Sequence, residues 1–134
     1  MNLQKKLKVS LLALRYGVAL VLLMWTIDKL ARPEHAAGVF EKFYFLPNFS
    51  HVLLKAVGIL ELLLIAAFLV GSKKRFTYGA VFAIHAVSTI SSYRQYLDPF
   101  SGGNLLFFAA WPMLAACFAL YVLRDEDTLL TVCR

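Results

Sequence analysis

The chain has 134 residues, of which 60% are hydrophobic and 16% charged, with a net charge of +6 and a mean hydropathy of +0.69. That balance excludes an ordinary water-soluble domain and leaves room for one domain, residues 1–134, and no second. The basic excess does not point to nucleic acid, because nine of the fourteen basic residues flank apolar runs in the pattern that orients a membrane protein.

Four apolar runs, residues 9–27, 52–71, 76–92 and 104–123, approach the length of about 20 helical residues that crosses a hydrocarbon core about 30 Å thick. Apart from Glu61, residues 60–71 and 105–123 are apolar all round, as suits contact with lipid, whereas a soluble core helix keeps a polar face.

The first run follows Lys5, Lys6 and Lys8, an arrangement like the start of a signal peptide. Its apolar stretch, Val9 to Lys29 or Leu30, is too long for one, so it is expected to stay as the first span. Arg32-Pro33-Glu34 ends it, since proline cannot continue a helix and restricts the residue before it. In the loop from Ala31 to His51, Phe40, Phe43 and Tyr44 fall at i, i+3, i+4, with Glu41 and Lys42 on the other side. This predicts a short amphipathic helix at the outer interface, an irregular aromatic loop being the alternative. Pro47-Asn48 ends it, and Ser50 is placed to cap the second span.

Gly71-Ser72-Lys73-Lys74-Arg75 joins spans two and three so tightly that they are expected to be antiparallel neighbours. Span three runs from Phe76 to about Tyr96 and loses its apolar character after Thr89. Asp98-Pro99-Phe100-Ser101-Gly102-Gly103 forms a turn-rich outer connection, and Trp111-Pro112 predicts a bend in span four. The expected fold is all-α: a membrane-spanning antiparallel four-helix bundle with a short outer interfacial helix between helices 1 and 2. Lys5, Lys6, Lys8 and Arg15, then Lys73, Lys74 and Arg75, then Arg124 and Arg134 share one side of it. The positive-inside rule makes that side, with both termini, cytoplasmic. Cys117 falls in the fourth span and Cys133 on the cytoplasmic side, so no disulfide is expected. The paired outer cysteines of a four-span thiol oxidoreductase are absent from the sequence.

Ionisable groups at bilayer depth cost about 2.5–3.5 kcal/mol each on insertion scales, and they usually mark function. Arg15 lies about two turns into span one, Glu61 near the middle of span two and His85 near the middle of span three. Counted from Lys74, Glu61 is 13 residues before and His85 is 11 after, a depth difference of about 3 Å at 1.5 Å per residue. A Glu61–His85 pair is therefore within reach, with Arg15 able to rise toward Glu61. His85, Ser88, Thr89 and Ser92 recur on one helical face, making an interior seam. Such groups either clasp helices statically or handle protons and ligands. Towards the outer surface, Trp25, Asp28 and Lys29 close span one, Lys55 opens span two, Arg94 closes span three and Asn104 opens span four. Converging, the three cations form a mouth for an anion or an acidic partner; separately, each snorkels to headgroups. The scattered His35, His51 and His85 make no metal motif, and no phosphate loop, nucleophile elbow or haem-attachment sequence occurs.

Several of these residues carry a resemblance. Arg15-Tyr16-Gly17, Trp25 and Asp28-Lys29, Phe45-Leu46-Pro47, and Gly58-Ile59-Leu60-Glu61 followed by Gly71 and Arg75 resemble the DoxX family of small bacterial four-span membrane proteins, its MauE-like branch included. His85 and Asn104 match more loosely. The resemblance implies a bacterial cytoplasmic (inner) membrane setting and an association with redox systems, a thiosulfate:quinone oxidoreductase subunit among them. It implies no reaction of the chain's own and no cofactor beyond a bound quinone.

On this basis the expected function is a membrane subunit without intrinsic activity that docks a redox partner or a second copy of itself, with lipid and quinone as the small-molecule contacts. A proton-coupled transporter using Glu61 and His85, or an assembly factor whose polar groups only fix packing, is the alternative.

Overall fold

A computed structural model describes residues 1–32 and 51–132, with the side chains of Lys29 and His51 outside that description. The interfacial helix expected over Phe40, Phe43 and Tyr44, the break at Pro47-Asn48 and the Ser50 cap therefore lie outside the described residues, as do the Phe45-Leu46-Pro47 motif, His35 and Cys133. Among the described residues the chain is all-helical.

Helix α1 runs Leu3–Ala31, and Asn2 caps it by accepting the Lys5 N–H at 2.8 Å. It stops at Arg32, whose backbone N–H donates to Asp28 O and whose guanidinium meets the Asp28 carboxylate at 2.6 Å. Pro33 follows, which forbids another turn. Helix α2, His51–Leu69, ends in a tight reversal. Gly71 adopts φ +71°, its N–H donates to Phe68 O, and the Ser72 N–H donates to Ala67 O, so the last carbonyls of the helix are satisfied. Helix α3, Lys74–Ser91, starts directly after it.

The third element differs from the expected continuous helix. It breaks at Ser92, and a separate turn, α4, covers Tyr93–Leu97. Thr89 Oγ1 donates to His85 O and Ser92 Oγ to Ser88 O, and such hydroxyls compete with the backbone ladder at the point where it ends. After the turn at Gly102, a 3-10 segment, Asn104–Ala109, leads into α5, Ala110–Val122. Pro112 therefore stands in the first turn of α5, where its missing N–H costs nothing. The change from 3-10 to α takes the place of the bend expected within a long helix. A last 3-10 turn, Arg124–Glu126, begins the segment that closes the structure.

Helices α1 and α3 each pack on both α2 and α5, so α1 faces α3 through side chains. The core joins Leu11, Val18, Ala19 and Leu22 of α1 to Ile65 and Phe68 of α2, Tyr78 and Val81 of α3, and Cys117 and Leu120 of α5. Gly58 sits under Leu30, whose side chain lies 2.8 Å from where a Cβ would stand, so α1 and α2 approach closely at that end.

Among the described residues, three helices are long and apolar enough to cross a membrane: Leu3–Asp28, Val52–Leu69 and Asn104–Val122. Four were expected, and α3 is the difference. Its 18 residues include Lys74, Arg75, Thr77, Tyr78, His85, Ser88 and Thr89, which lower its hydropathy. Where those residues point is informative. Lys74, Thr77, Tyr78, His85 and Thr89 are buried, whereas Phe76, Ile84, Val87 and Ile90 are exposed. A water-soluble helix has the opposite arrangement. The same inversion holds elsewhere: Arg15 and Thr26 are wholly buried in α1, while Leu20, Met24 and Ile27 face outward.

Candidate functional site

Polar groups collect at two levels. The first lies beside the reversal between α2 and α3. Arg15 is completely buried, and its Nη1 meets Asp127 Oδ1 at 2.5 Å, with both side chains fully enclosed. Its Nη2 donates to the carbonyls of Leu129 at 2.6 Å and Leu130 at 3.3 Å. The Tyr78 hydroxyl donates to the other Asp127 oxygen at 2.5 Å, and Lys74 Nζ donates to the Asp127 carbonyl. One carboxylate thus gathers α1, α3 and the segment after α5. A fully buried ion pair gains from low dielectric only when its remaining lone pairs and protons are also bonded, and here most of them are.

The closing segment is fixed from outside as well. The Val132 N–H donates to Val70 O at 2.9 Å, and the Thr131 side chain lies 2.5 Å from where a Cβ on Gly71 would stand. Glycine at position 71 therefore answers two needs, a positive φ and a close approach.

The second level lies deeper along the helices. Thr26 Oγ1 stands 2.8 Å from Leu22 O and 3.0 Å from Glu61 Oε2, linking α1 to α2. His85 stacks on Trp25, ring centroids 6.1 Å apart at 27°, and its Nε2 lies 3.0 Å from Ala110 O of α5. A carbonyl only accepts, so Nε2 carries the proton and Nδ1 is left as a buried lone pair without a hydrogen-bond partner among the described residues. Glu61 and His85 occupy this level as their depths predicted, but they share no hydrogen bond. Thr26 and Trp25 of α1 stand at Glu61 and His85 respectively. Arg15 turns to Asp127 rather than to Glu61, because the carboxylate of the closing segment is nearer its own depth. A cleft of about 20 Å³, lined by Leu22, Glu61, Leu64, Ile65, Val81 and Ile84, has room for about one water molecule.

In the interior seam, the Thr89 and Ser92 hydroxyls donate to carbonyls one turn back, those of His85 and Ser88. Beyond it, the Tyr96 hydroxyl donates to Thr89 O at 2.8 Å, and its ring packs against Phe108 and Trp111. Gln95 is buried, with Oε1 unbonded among the described residues. The cations of the expected mouth whose side chains are described are Lys55 and Arg94. Both are exposed, Arg94 Nε donates to the Tyr93 hydroxyl at 3.3 Å, Asn104 donates to Asp98 O, and Asp28 pairs with Arg32. No described contact joins Lys55, Arg94 and Asn104, and the Lys29 side chain lies outside the description. No group of three metal-ligating side chains occurs among the described residues.

Sequence reasoning missed Asp127, Tyr78 and the interior role of Lys74. A signal was present: Asp125-Glu126-Asp127 is the densest acidic run in the chain, and it follows an apolar run at the end where Arg15 enters the first. Counting basic residues for orientation drew attention away from their counter-ions.

Comparison with known families supplies the setting. The description of methylamine utilisation protein MauE matches residues 7–99, which span α1 to α4. The chain belongs to the MauE family. This family of small membrane proteins is related to the DoxX-like proteins that its first two helices resemble. No curated protein and no solved structure matches the chain. Membership in the MauE family, with three helices suited to a bilayer, makes it a multi-pass membrane protein.

Proposed function

We propose that this MauE-family protein is a non-catalytic membrane subunit of a redox system, which docks its partner at the end of the bundle that carries Trp25, Lys55, Arg94 and Asn104. The observation that carries this reading is how much of the polar interior is tied off, with Arg15 Nε, His85 Nδ1 and Gln95 Oε1 the buried atoms left unbonded among the described residues. Arg15 and Asp127 neutralise each other, the seam hydroxyls bond to their own helix, and Glu61 and His85 are bonded to different helices. An interior arranged in this way holds a scaffold together, and the family's link to methylamine utilisation supplies a redox setting.

In this reading α3 is the fourth span, lowered in hydropathy by a polar face that the other helices enclose, and the four long helices form an antiparallel bundle. Both termini and the Lys73–Arg75 reversal face the cytoplasm of a bacterial inner membrane, as the positive-inside rule requires. A quinone headgroup is the small molecule suited to the aromatic outer end, where Tyr96, Phe108 and Trp111 cluster.

Mass spectrometry of the protein gently extracted from its own membrane tests the reading. A reproducible partner subunit or bound quinone is expected, with the partner lost on Lys55→Glu with Arg94→Glu. Repeated recovery of the chain alone, free of partner and quinone, overturns it. A proton-coupled transporter is favoured by two observations only, the bare Nδ1 of His85 and the small cleft at Glu61. Proteoliposome flux that survives Glu61→Gln and His85→Ala removes that alternative.

A further inference from the structure

A cavity of about 390 Å³ opens beside the buried Arg15–Asp127 pair, lined by Lys74, Arg75, Arg124 and Asp125. Three of its four walls are basic. Lys74 and Arg75 begin α3, and Arg124 begins the turn that follows α5, so the cavity lies at the end of two helices that pack against each other. The Arg124 guanidinium is held in place, donating to Tyr121 O at 2.7 Å and lying 4.6 Å from the centre of the Tyr121 ring. Lys74 is itself buried and tied to the Asp127 carbonyl. The internal ion pair therefore fixes the segment bearing Arg124 and Asp125 opposite the start of α3.

Arg75 and Arg124 face one space whose lining offers a single carboxylate, that of Asp125, so an anion placed between the two guanidinium groups is favoured there. The surroundings narrow down which anion fits. Phe76, next to Arg75, is 72% exposed, and Val122 and Phe118, two and six residues before Arg124, are each 55% exposed. A charged recess therefore stands directly above an outward apolar surface between α3 and α5, at the level where a span leaves the bilayer. A phosphate that carries acyl chains meets both; a free phosphate meets only the recess.

We propose that this recess binds the phosphate headgroup of an anionic phospholipid, with Arg75 and Arg124 gripping the phosphate oxygens, Lys74 adding charge from beneath, and the acyl chains lying along Phe76, Phe118 and Val122. Guanidinium groups suit the task because they present paired N–H donors to two phosphate oxygens, and basic recesses between membrane helices are suited to acidic headgroups. The site is separate from the outer docking end and does not depend on the redox reading. Both leaflets carry phospholipid, so it does not depend on orientation either.

The test is native mass spectrometry of the detergent-solubilised full chain, titrated with phosphatidylglycerol and, separately, with phosphatidylcholine. Retention of phosphatidylglycerol over phosphatidylcholine is expected, and Arg75→Gln with Arg124→Gln should weaken it about thirtyfold, the combined effect of two lost charge contacts. Asp125→Asn should strengthen it, an opposite sign that damage to the fold does not produce. Lys5→Gln with Lys6→Gln removes the same number of charges from the exposed start of α1 and should leave retention unchanged. Equal losses in the two double variants, or none in either, overturn the proposal. Displacement of the lipid by millimolar inorganic phosphate also overturns it, since the occupant is then a free anion.

Discussion

Arg15 shows how much a single residue can decide. A guanidinium with no exposed surface is tolerable because Asp127, Leu129 and Leu130 receive its protons. Truncating one side of such a pair leaves an uncompensated charge, and Asp127→Ala should lower stability by about 3–5 kcal/mol, read as a fall in melting temperature in detergent. Exchanging both partners for apolar residues of similar size, Arg15→Met with Asp127→Leu, should recover most of that loss, because the desolvation of both charges goes with them. If the double variant melts no higher than Asp127→Ala, the pair acts through more than charge. The presence of a costly Arg was legible in the sequence, since its depth in an apolar run announced it. Its partner was not, because periodicity and depth counting work within and between adjacent spans, whereas Asp127 belongs to an irregular segment 112 residues away. His85 and Glu61 were likewise placed at the right level, yet rotation about the helix axis, which residue counting does not supply, gave them different neighbours.

At the scale of elements, α3 is the most instructive. Its composition keeps it from the helices apolar enough to cross a membrane, and the sorting of its side chains, polar inward and apolar outward, is what supports the proposal that it is a fourth span. That sorting carries a prediction. Val87→Asp, on the 56% exposed outer face, should oppose insertion by about 2.5–3.5 kcal/mol on an insertion assay, while Thr89→Val, wholly buried, should not. Equal behaviour of the two would mean that lipid does not bathe that face. The reversal before α3 offers another. Gly71→Ala meets both a positive φ and the Thr131 methyl group, so a loss of about 1–3 kcal/mol is expected. Thr131→Ala should return the steric part but not the backbone part, a split visible in paired melting curves. The element boundaries at Gly71 and Pro33 were readable because they rest on local chemistry, φ > 0 and a missing N–H. The break at Ser92 was not, since serine and threonine are compatible with an unbroken membrane helix.

For the molecule as a whole, the inversion of polarity is the dominant fact. Leu20, Leu60, Leu63, Phe76 and Ile90 are all more than 60% exposed, while Arg15, Thr26, Thr89 and Asp127 are fully enclosed. The protein should therefore remain with the membrane pellet through an alkaline carbonate wash, and release into the supernatant without detergent would contradict the reading at its root. Fold class and approximate span positions came from composition and run length, since lipid imposes a simple demand on both. The enclosed ion pair also sets an order of events. Residue 15 is synthesised long before residue 127, so the first helix must enter the bilayer with its cation uncompensated. That helix reaches its final state only when the last segment of the bundle swings back beneath it. Arrival of Asp127, rather than insertion of any one helix, is the step that locks this protein.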